Sequence, residues 1–213
     1  MMTHRSAQPL FRVLGIVAAA VVATVTLPAC APLVLGGAMV GGALMVTDRR
    51  TTGTQVEDQS IEFKGAARAR EVAPSGHVNV TSYNRQVLIT GEVASDVDRR
   101  AVEQAVAGIE NVRAVTNELA VMGNSSVTSR SNDAVLSGKV KASFVDAKDL
   151  QAQAIKVITE RGTVHLMGLV TEREASRAAE IARSVSGVQK VVRVFEVISE
   201  EQLARLQPPP APR

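Results

Sequence analysis

Gln86-Val-Leu-Ile-Thr-Gly-Glu-Val93 decides the fold of this chain, because a closely similar stretch returns as Thr163-Val-His-Leu-Met-Gly-Leu-Val170. The glycines of the two stretches are 77 residues apart, and the strand-like segments that precede them, beginning at Val78 and Ile155, have the same spacing. Self-similarity at a fixed spacing indicates repeated structural units. The sequence therefore predicts two copies of one small domain.

Each copy has the same pattern around this stretch. Alternating apolar residues predict two half-buried strands, joined by a tight turn at Tyr83-Asn84-Arg85 in the first copy and at Glu160-Arg161-Gly162 in the second. An alanine-rich amphipathic helix follows, with Ser95 or Thr171 at its N-cap. It is predicted to end at Asn111 or Gly187. The final strands are predicted at Val112 to Val121 and Gln189 to Ile198.

A further helix is expected before each pair of strands. In the second copy, Asp133 is the predicted N-cap of a helix from Ala134 to Val145. Three apolar residues spaced four apart would form its buried face: Leu136, Val140 and Phe144. The first copy offers a weaker pattern at Thr54 to Arg70. The predicted fold class is α+β, with two tandem αββαβ units, each a three-stranded sheet with two helices on one face.

These motifs resemble the BON domain (bacterial OsmY and nodulation). Its signature is a strand pair ending in glycine, an alanine-rich helix, then Gly-Val and a last strand. The similar stretches are Asp48-Arg-Arg-Thr-Thr-Gly-Thr-Gln-Val56, Leu166-Met-Gly-Leu-Val-Thr-Glu-Arg-Glu-Ala175 and Val185-Ser-Gly-Val188. The resemblance extends from about Asp48 to Ile198.

The start of the chain has the layout of an export signal. A basic leader precedes the apolar run Val13 to Leu27, which closes on Leu27-Pro28-Ala29-Cys30. This resembles the lipobox of bacterial lipoproteins, so Cys30 is expected to be acylated, palmitate included. The alternative is a buried or incidental thiol. Pro32 stands where aspartate commonly retains lipoproteins at the inner membrane, which favours the outer membrane.

The apolar, glycine-rich segment 31–47 is read as a tether, with a second membrane helix as the alternative. The predicted boundaries along the chain are a signal peptide at 1–29, the acylated cysteine and tether at 30–47, BON domain 1 at 48–122, a linker at 123–131, BON domain 2 at 132–199, and a proline-rich disordered tail at 200–213.

Composition excludes several classes of function. Aromatic residues make up 2% of the chain and tryptophan is absent, so a base-stacking surface for nucleic acid is not expected. The formal charge is +3, with 24 Lys and Arg against 21 Asp and Glu. Loss of Arg5 and Arg12 with the signal peptide leaves 22 basic residues and a balance of +1. No nucleic-acid partner is predicted.

No catalytic or metal site is predicted, and no cofactor. The mature chain holds two histidines, His77 and His165, at non-equivalent places in the two copies, and no cysteine or second histidine lies near either in sequence. The alternation of His165 with Val164 and Leu166 places its side chain toward solvent or a sheet rim. Enzymatic activity is therefore not expected.

The resemblance implies a function at the membrane. Tandem BON domains behind a lipobox imply a non-enzymatic envelope protein on the periplasmic face of the outer membrane, anchored in its inner leaflet. Such proteins bind anionic phospholipid, support outer-membrane integrity and concentrate at division sites. The family's lipid contacts lie on the first helix of BON domain 2, where an exposed tryptophan of the family corresponds to Val135 here.

The expected phospholipid-binding residues follow from that helix. They are Val135, Lys139, Lys141, Val145 and Lys148. Two valines on an exposed flank would enter the acyl boundary while the lysines meet phosphates of a phosphatidylglycerol-like lipid, with weaker binding than tryptophan gives. The alternatives are an ordinary solvated helix, or a protein scaffold for outer-membrane assembly or peptidoglycan-amidase regulation. A scaffold's envelope partner could add a strand beside Val191 to Ile198.

Overall fold

A computed structural model describes residues 48–206. The predictions for the signal peptide, Cys30, the tether and the last seven residues lie outside this range. The first domain consists of α1 (Thr52–Val72), β1 (His77–Tyr83), β2 (Gln86–Val93), α2 (Asp96–Ala107), β3 (Ala114–Asn117) and β4 (Ala120–Val121). The second consists of α3 (Val127–Asp146), a short 3-10 turn (Ala152–Ala154), β5 (Ile155–Glu160), β6 (Thr163–Val170), α4 (Glu172–Ser184) and β7 (Lys190–Val197).

The elements follow one another along the chain as predicted, and in both sheets the glycine-containing strand lies in the middle. β1 and β2 are antiparallel, as are β5 and β6, whereas β3 and β7 run parallel to their central strands. The last strand of the first domain was predicted to be continuous, but a turn closed by the Asn117 side chain divides it into β3 and β4. The Leu119 backbone N–H donates to Oδ1 of Asn117 at 3.1 Å, and pairing with β2 resumes only at β4.

The two hairpin turns are as predicted, with left-handed backbone at Asn84, Arg85, Arg161 and Gly162. Two consecutive residues with positive φ form the turn that matches the natural twist of a β-hairpin. Asp133, however, does not cap a helix. It lies inside α3 and accepts hydrogen bonds from the backbone N–H groups of Arg161 and Gly162, both at 2.8 Å.

The helix ends differ from the predictions in both domains. α3 begins at Val127, with Ser126 as its N-cap, so the linker predicted at 123–131 is shorter. α2 ends at Ala107 and α4 at Ser184, before the predicted ends at Asn111 and Gly187, whose φ angles are nevertheless positive at 69° and 101°. The Ser95 and Thr171 caps are confirmed.

The segment predicted as a disordered tail at 200–213 begins with a helix, α5 (Glu200–Leu206). The side-chain oxygen of Ser199 accepts from the Gln202 N–H at 3.2 Å, and Leu203 is buried. Capping and apolar burial together account for order here. Within the described range, no helix combines the length and the apolar character needed to cross a bilayer.

Each domain has its own core between its helices and one face of its sheet. In the second domain Leu136, Val140 and Phe144 are buried as predicted. The buried face of α4 is made of small residues, which let that helix lie close to the sheet: Ala175, Ala178, Ala179 and Ala182.

The opposite faces of the two sheets pack against each other. Tyr83 and Leu88 of the first domain form an apolar cluster with Met167, Leu169 and Val194 of the second, all of them buried. Helices therefore cover one face of each sheet, and the partner domain covers the other. Neither sheet exposes a whole face to water.

His165 belongs to this packed layer, so the expectation that it faces solvent or a rim is wrong. Its side chain alternates as predicted, but the face it points to is occupied by the other domain, and the residue is 2% exposed. Burial lowers the pKa of His165. Its Nε2 lies 3.8 Å from the Glu118 carboxylate, longer than a hydrogen bond.

Two consecutive arginines attach the start of the described chain to both domains. Arg49 forms a bidentate ion pair with Glu174 of α4 at 2.7 and 2.8 Å and donates to the Leu169 carbonyl at 2.7 Å. Arg50 pairs with Asp58 of α1 at 2.8 Å and lies over the ring of Tyr83, 4.1 Å from its centroid. This arginine clamp holds the chain between the domains before α1 begins.

Candidate functional site

α3 presents the residues that the sequence singles out for lipid contact. Its buried face points at the sheet, and each residue advances about 100° around the helix. Val135 is 59% exposed and Val145 is 68% exposed, which confirms that neither belongs to the core. Lys139 and Lys141 are also exposed.

The outward side of α3 carries an apolar strip, interrupted by Ser131, which we call the valine face. It consists of Val127, Val135, Gly138, Ala142 and Val145. At about 100° per residue, Lys139 lies along one margin of this strip and Lys141 along the other. Lys148 follows the end of α3 and is exposed, but it is not part of the helix. The structure therefore gathers four of the five predicted residues on one helix.

A cavity of about 540 Å³ adjoins the valine face. Val135 and Lys139 line one side, and the Arg161-Gly162 hairpin turn and the loop that contains Gly187 line the other. Sequence patterns alone did not predict that this turn and this loop would form a wall beside α3. The relevant signal was the position of Asp133, which binds the turn and so fixes its distance from the helix.

The charges around this cavity are mixed. Arg161 is a cation at the cavity wall, and its guanidinium also donates to Glu92 of the first domain at 3.1 Å. Asp133 lines the cavity as well, but both of its oxygens accept backbone hydrogen bonds. Lys139 remains exposed on the open side. A phosphate oxygen entering the cavity would thus meet two basic side chains from different elements.

The first domain has an exposed apolar pair on the equivalent helix, which sequence reasoning did not single out. Phe63 of α1 is 80% exposed, and Val56, seven residues earlier on the same side of the helix, is 62% exposed. No other large hydrophobic residue among residues 48–206 is as exposed as Phe63. Phe63 comes two residues after the buried Ile61, and this spacing places the two side chains on opposite sides of a helix.

One group of side chains has the donor types of a metal site. His77, Glu92 and Glu160 each offer a ligand atom, and these atoms lie within 4.8 Å of one another. Glu92 is fully buried, and hydrogen bonds from the Ser125 backbone and Arg161 outweigh its burial and lower its pKa. Burial raises the pKa of Glu160, and the nearby Glu92 charge adds to that rise.

The BON domain family model matches residues 62–123 and 132–199, which together make up more than half of the chain. The chain belongs to the BON family. Each match covers one of the two repeats, so the predicted tandem arrangement is confirmed.

Several characterised relatives are similar across most of this BON protein. It is 39% identical over 180 residues to the outer membrane lipoprotein DolP of Haemophilus influenzae, covering 83% of this chain and 92% of that protein. It is 31% identical over 154 residues to a 21 kDa hemolysin of Actinobacillus pleuropneumoniae, covering 71% and 79%. It is 26% identical over 144 residues to the osmotically inducible protein Y of Escherichia coli, covering 65% and 72%.

These relatives agree with the class of protein that the sequence predicted. The long match to an outer membrane lipoprotein, together with the two BON domains, makes the chain an outer-membrane lipoprotein of the cell envelope. None of the three relatives is named as an enzyme.

Proposed function

We propose that this BON protein, anchored through Cys30 to the periplasmic side of the outer membrane, binds anionic phospholipid with the valine face and the adjoining cavity. The observation that carries the proposal is the exposure of Val135 and Val145 on one side of α3, with Lys139 and Lys141 along the margins. Supporting outer-membrane integrity and acting at the division site would follow from this binding.

The valine face fits the boundary between headgroups and acyl chains. Burying a valine side chain completely is worth about 1.5–3 kcal/mol, and these two are about two-thirds exposed to water in the free protein. An interfacial helix needs an apolar side that enters the membrane and a basic margin that stays with the phosphates. α3 has both, although its valines are smaller than the tryptophan of the family.

The lysines and the cavity supply the selectivity for anionic lipid. Each basic residue near an anionic surface contributes about 1 kcal/mol, and this term weakens as salt increases. Lys139 and Arg161 approach the cavity from two sides, so a headgroup phosphate bound between them would face two cations. Lys148 lies close enough in sequence to add long-range attraction without entering the cavity.

Vesicle sedimentation with the fragment that begins at Asp48 tests the proposal without a contribution from the lipid anchor. The double variant Val135→Glu with Val145→Glu should bind vesicles containing phosphatidylglycerol at least about tenfold more weakly, because two carboxylates would meet anionic headgroups. Val97→Glu is the matched control, since Val97 is 67% exposed on α2 of the first domain. Equal sedimentation of the double variant and the parent would refute the proposed surface.

A gain-of-binding variant sharpens the test. The chain has no tryptophan, so Val135→Trp introduces a single tryptophan, whose emission can be excited separately from that of Tyr83, on the valine face. Tighter binding and a blue-shifted emission in phosphatidylglycerol vesicles are expected, because an indole ring prefers the membrane interface. An emission spectrum unchanged by vesicles would count against membrane contact at this position.

A scaffold function is the second candidate, and the sheet topology favours it at one place. β7 pairs with β6 on one side only, so it is an edge strand of its sheet. An extended segment of an envelope protein could add to such an edge through main-chain hydrogen bonds. Crosslinks from β7 to proteins, without lipid protection at Val135, would support the scaffold and not the lipid site.

A further inference from the structure

We propose that His77, Glu92 and Glu160 form a binding site for a divalent cation, with Zn²⁺ the best suited, that joins the two BON domains. His77 and Glu92 are cross-strand partners at the end of the β1–β2 pair, and Glu160 ends β5 of the second domain. The ligand set is therefore complete only when the domains are docked. Each of the three residues comes from a different strand.

The distances suit a small four-coordinate ion. Zn²⁺ binds histidine nitrogen and carboxylate oxygen at about 2.0–2.2 Å, so its ligand atoms lie about 3.3–3.6 Å apart in a tetrahedron. Nδ1 of His77 and Oε2 of Glu92 are already 3.3 Å apart. All three ligand atoms lie within 4.8 Å of one another, and a small side-chain rotation of Glu160 would close the set. Water would supply the fourth ligand.

The carboxylates are held in place by hydrogen bonds from neighbouring side chains. Arg161 donates to Oε1 of Glu92 at 3.1 Å, which leaves Oε2 directed at His77. Asn79 donates to Oε2 of Glu160 at 3.1 Å. Partners of this kind orient ligands and are a regular part of protein metal sites. Much of the ordering that a metal site requires is thus present in the free protein.

The local charge favours a cation. Glu160 lies near two other carboxylates, those of Glu92 and Asp133. The Arg161 guanidinium donates to Glu92, and Arg130 lines the same cavity as Asp133 and Glu160. Three carboxylates against two guanidinium groups leave an excess of negative charge, which a divalent ion would offset. Burial makes this repulsion stronger than it would be in water.

A cavity gives access to the site. It has a volume of about 280 Å³ and lies between the domains, with His77, Asn79 and Glu160 on one side and Ala134 and Ser137 of α3 on the other. This volume accommodates an ion with several water molecules, since a water molecule occupies about 30 Å³ in the liquid. The ion can therefore bind without separation of the docked sheets.

Metal binding would stabilise the docked arrangement. A ligand that binds only the native state adds stability in proportion to the logarithm of its concentration over Kd. Because Glu160 belongs to one domain and the other two ligands to the other, that stability would act on the domain interface. The inference does not require the valine face, which lies on the outer side of α3, although Arg161 takes part in both sites.

Titration of the metal-stripped full chain in detergent with Zn²⁺ tests the inference. One equivalent should bind and raise Tm, and Co²⁺ in its place should give the visible absorption of a tetrahedral site with an imidazole ligand. His77→Gln and Glu160→Gln should each weaken binding at least about tenfold and remove the rise in Tm, as loss of a ligand requires. Both variants should unfold like the parent when no metal is present.

Two control variants separate this site from adventitious binding and from the lipid proposal. His165→Gln removes the other histidine of the described range and should leave the Zn²⁺ affinity unchanged. The Val135→Glu, Val145→Glu double variant should also bind Zn²⁺ normally. Absence of a Zn²⁺-dependent rise in Tm in the parent, or full binding by His77→Gln and Glu160→Gln, would overturn the inference.

Discussion

The two BON domains fix their hairpin turns in the same way but pack their first helices differently. Asp58 of α1 and Asp133 of α3 each accept two backbone hydrogen bonds from the turn between the first two strands. Seven residues further along each helix, the first domain has Gly65 and the second has Val140, both buried. The contact that sets the turn is shared, whereas the helix-to-sheet packing is not.

The difference changes how closely the helix approaches the sheet. A Cβ atom on Gly65 would lie 2.7 Å from Cγ1 of Val80, so α1 contacts β1 with backbone where α3 uses side chains. Phe144 fills the second domain at the position that Ala69 occupies in the first. One duplicated topology therefore supports two core designs, because a larger helix side chain can replace direct backbone contact.

The largest expected effect is a difference in the free energy of unfolding between variants of Asp58 and Asp133. Asp58 also pairs with Arg50 at 2.8 Å and accepts from the Ser82 hydroxyl at 2.7 Å. Asp58→Ala should lower the free energy of unfolding by about 3–5 kcal/mol, because two backbone donors and the Ser82 hydroxyl lose their acceptor. The substitution also removes one of the two carboxylates that pair with Arg50, the other being Asp48. Asp133→Ala, which frees only the two donors, should cost about 2–3 kcal/mol. Urea unfolding measures both, and equal costs would contradict the comparison.

The next effect concerns Gly65, for which the chain contains a matched control. Gly65→Ala should destabilise the protein by about 1–3 kcal/mol, because the new methyl group would overlap Val80. Gly138 lies in the interior of α3, and a methyl group added there would have nothing within 4 Å, so Gly138→Ala should stabilise by about 0.5–1 kcal/mol. Thermal unfolding of both variants tests the pair. A stable Gly65→Ala protein would show that α1 can move away from the sheet.

The smallest expected effect is a pH dependence at the domain interface. Burial lowers the pKa of His165, so the folded protein holds this residue neutral, with Glu118 and Lys190 as the nearby charges. The resulting stability is present above the unfolded pKa of about 6.5 and is lost as the pH falls below it. His165→Gln should remove that part of the pH dependence.

The measurement is the difference between parent and His165→Gln in urea unfolding at pH 7.5 and 5.5. Taking the difference removes the contribution of Glu160, whose raised pKa acts with the opposite sign. The low pKa of Glu92 contributes only at more acidic pH. If the free energy of unfolding changed equally between the two pH values in both proteins, the His165 environment would not discriminate between its protonation states.

Within each repeat, most of the fold could be predicted from the sequence. The alternation in Thr163 to Val170, the capping residues and the four-residue spacing of Leu136, Val140 and Phe144 are local signals, and each was sufficient for its element. Local signals failed where a distant group decides the outcome. Asp133 has the appearance of an N-cap, yet its partner is a turn 28 residues away.

These local patterns could not predict how the two domains dock, because docking also depends on groups that are distant in sequence. His165 alternates like a solvent-facing residue because alternation identifies a face and not what covers it. Val135 and Val145 were predictable as exposed, since the helix period separates them from the buried face. The cavity beside them and the histidine–glutamate cluster required residues from two or three elements, so no spacing in the sequence could reveal them.

The arginine clamp places one ion pair on each domain. Arg49 pairs with Glu174 of the second domain, and Arg50 pairs with Asp58 of the first. A pull on the chain ahead of Asp48 would therefore be divided between the two domains and would not act on α1 alone.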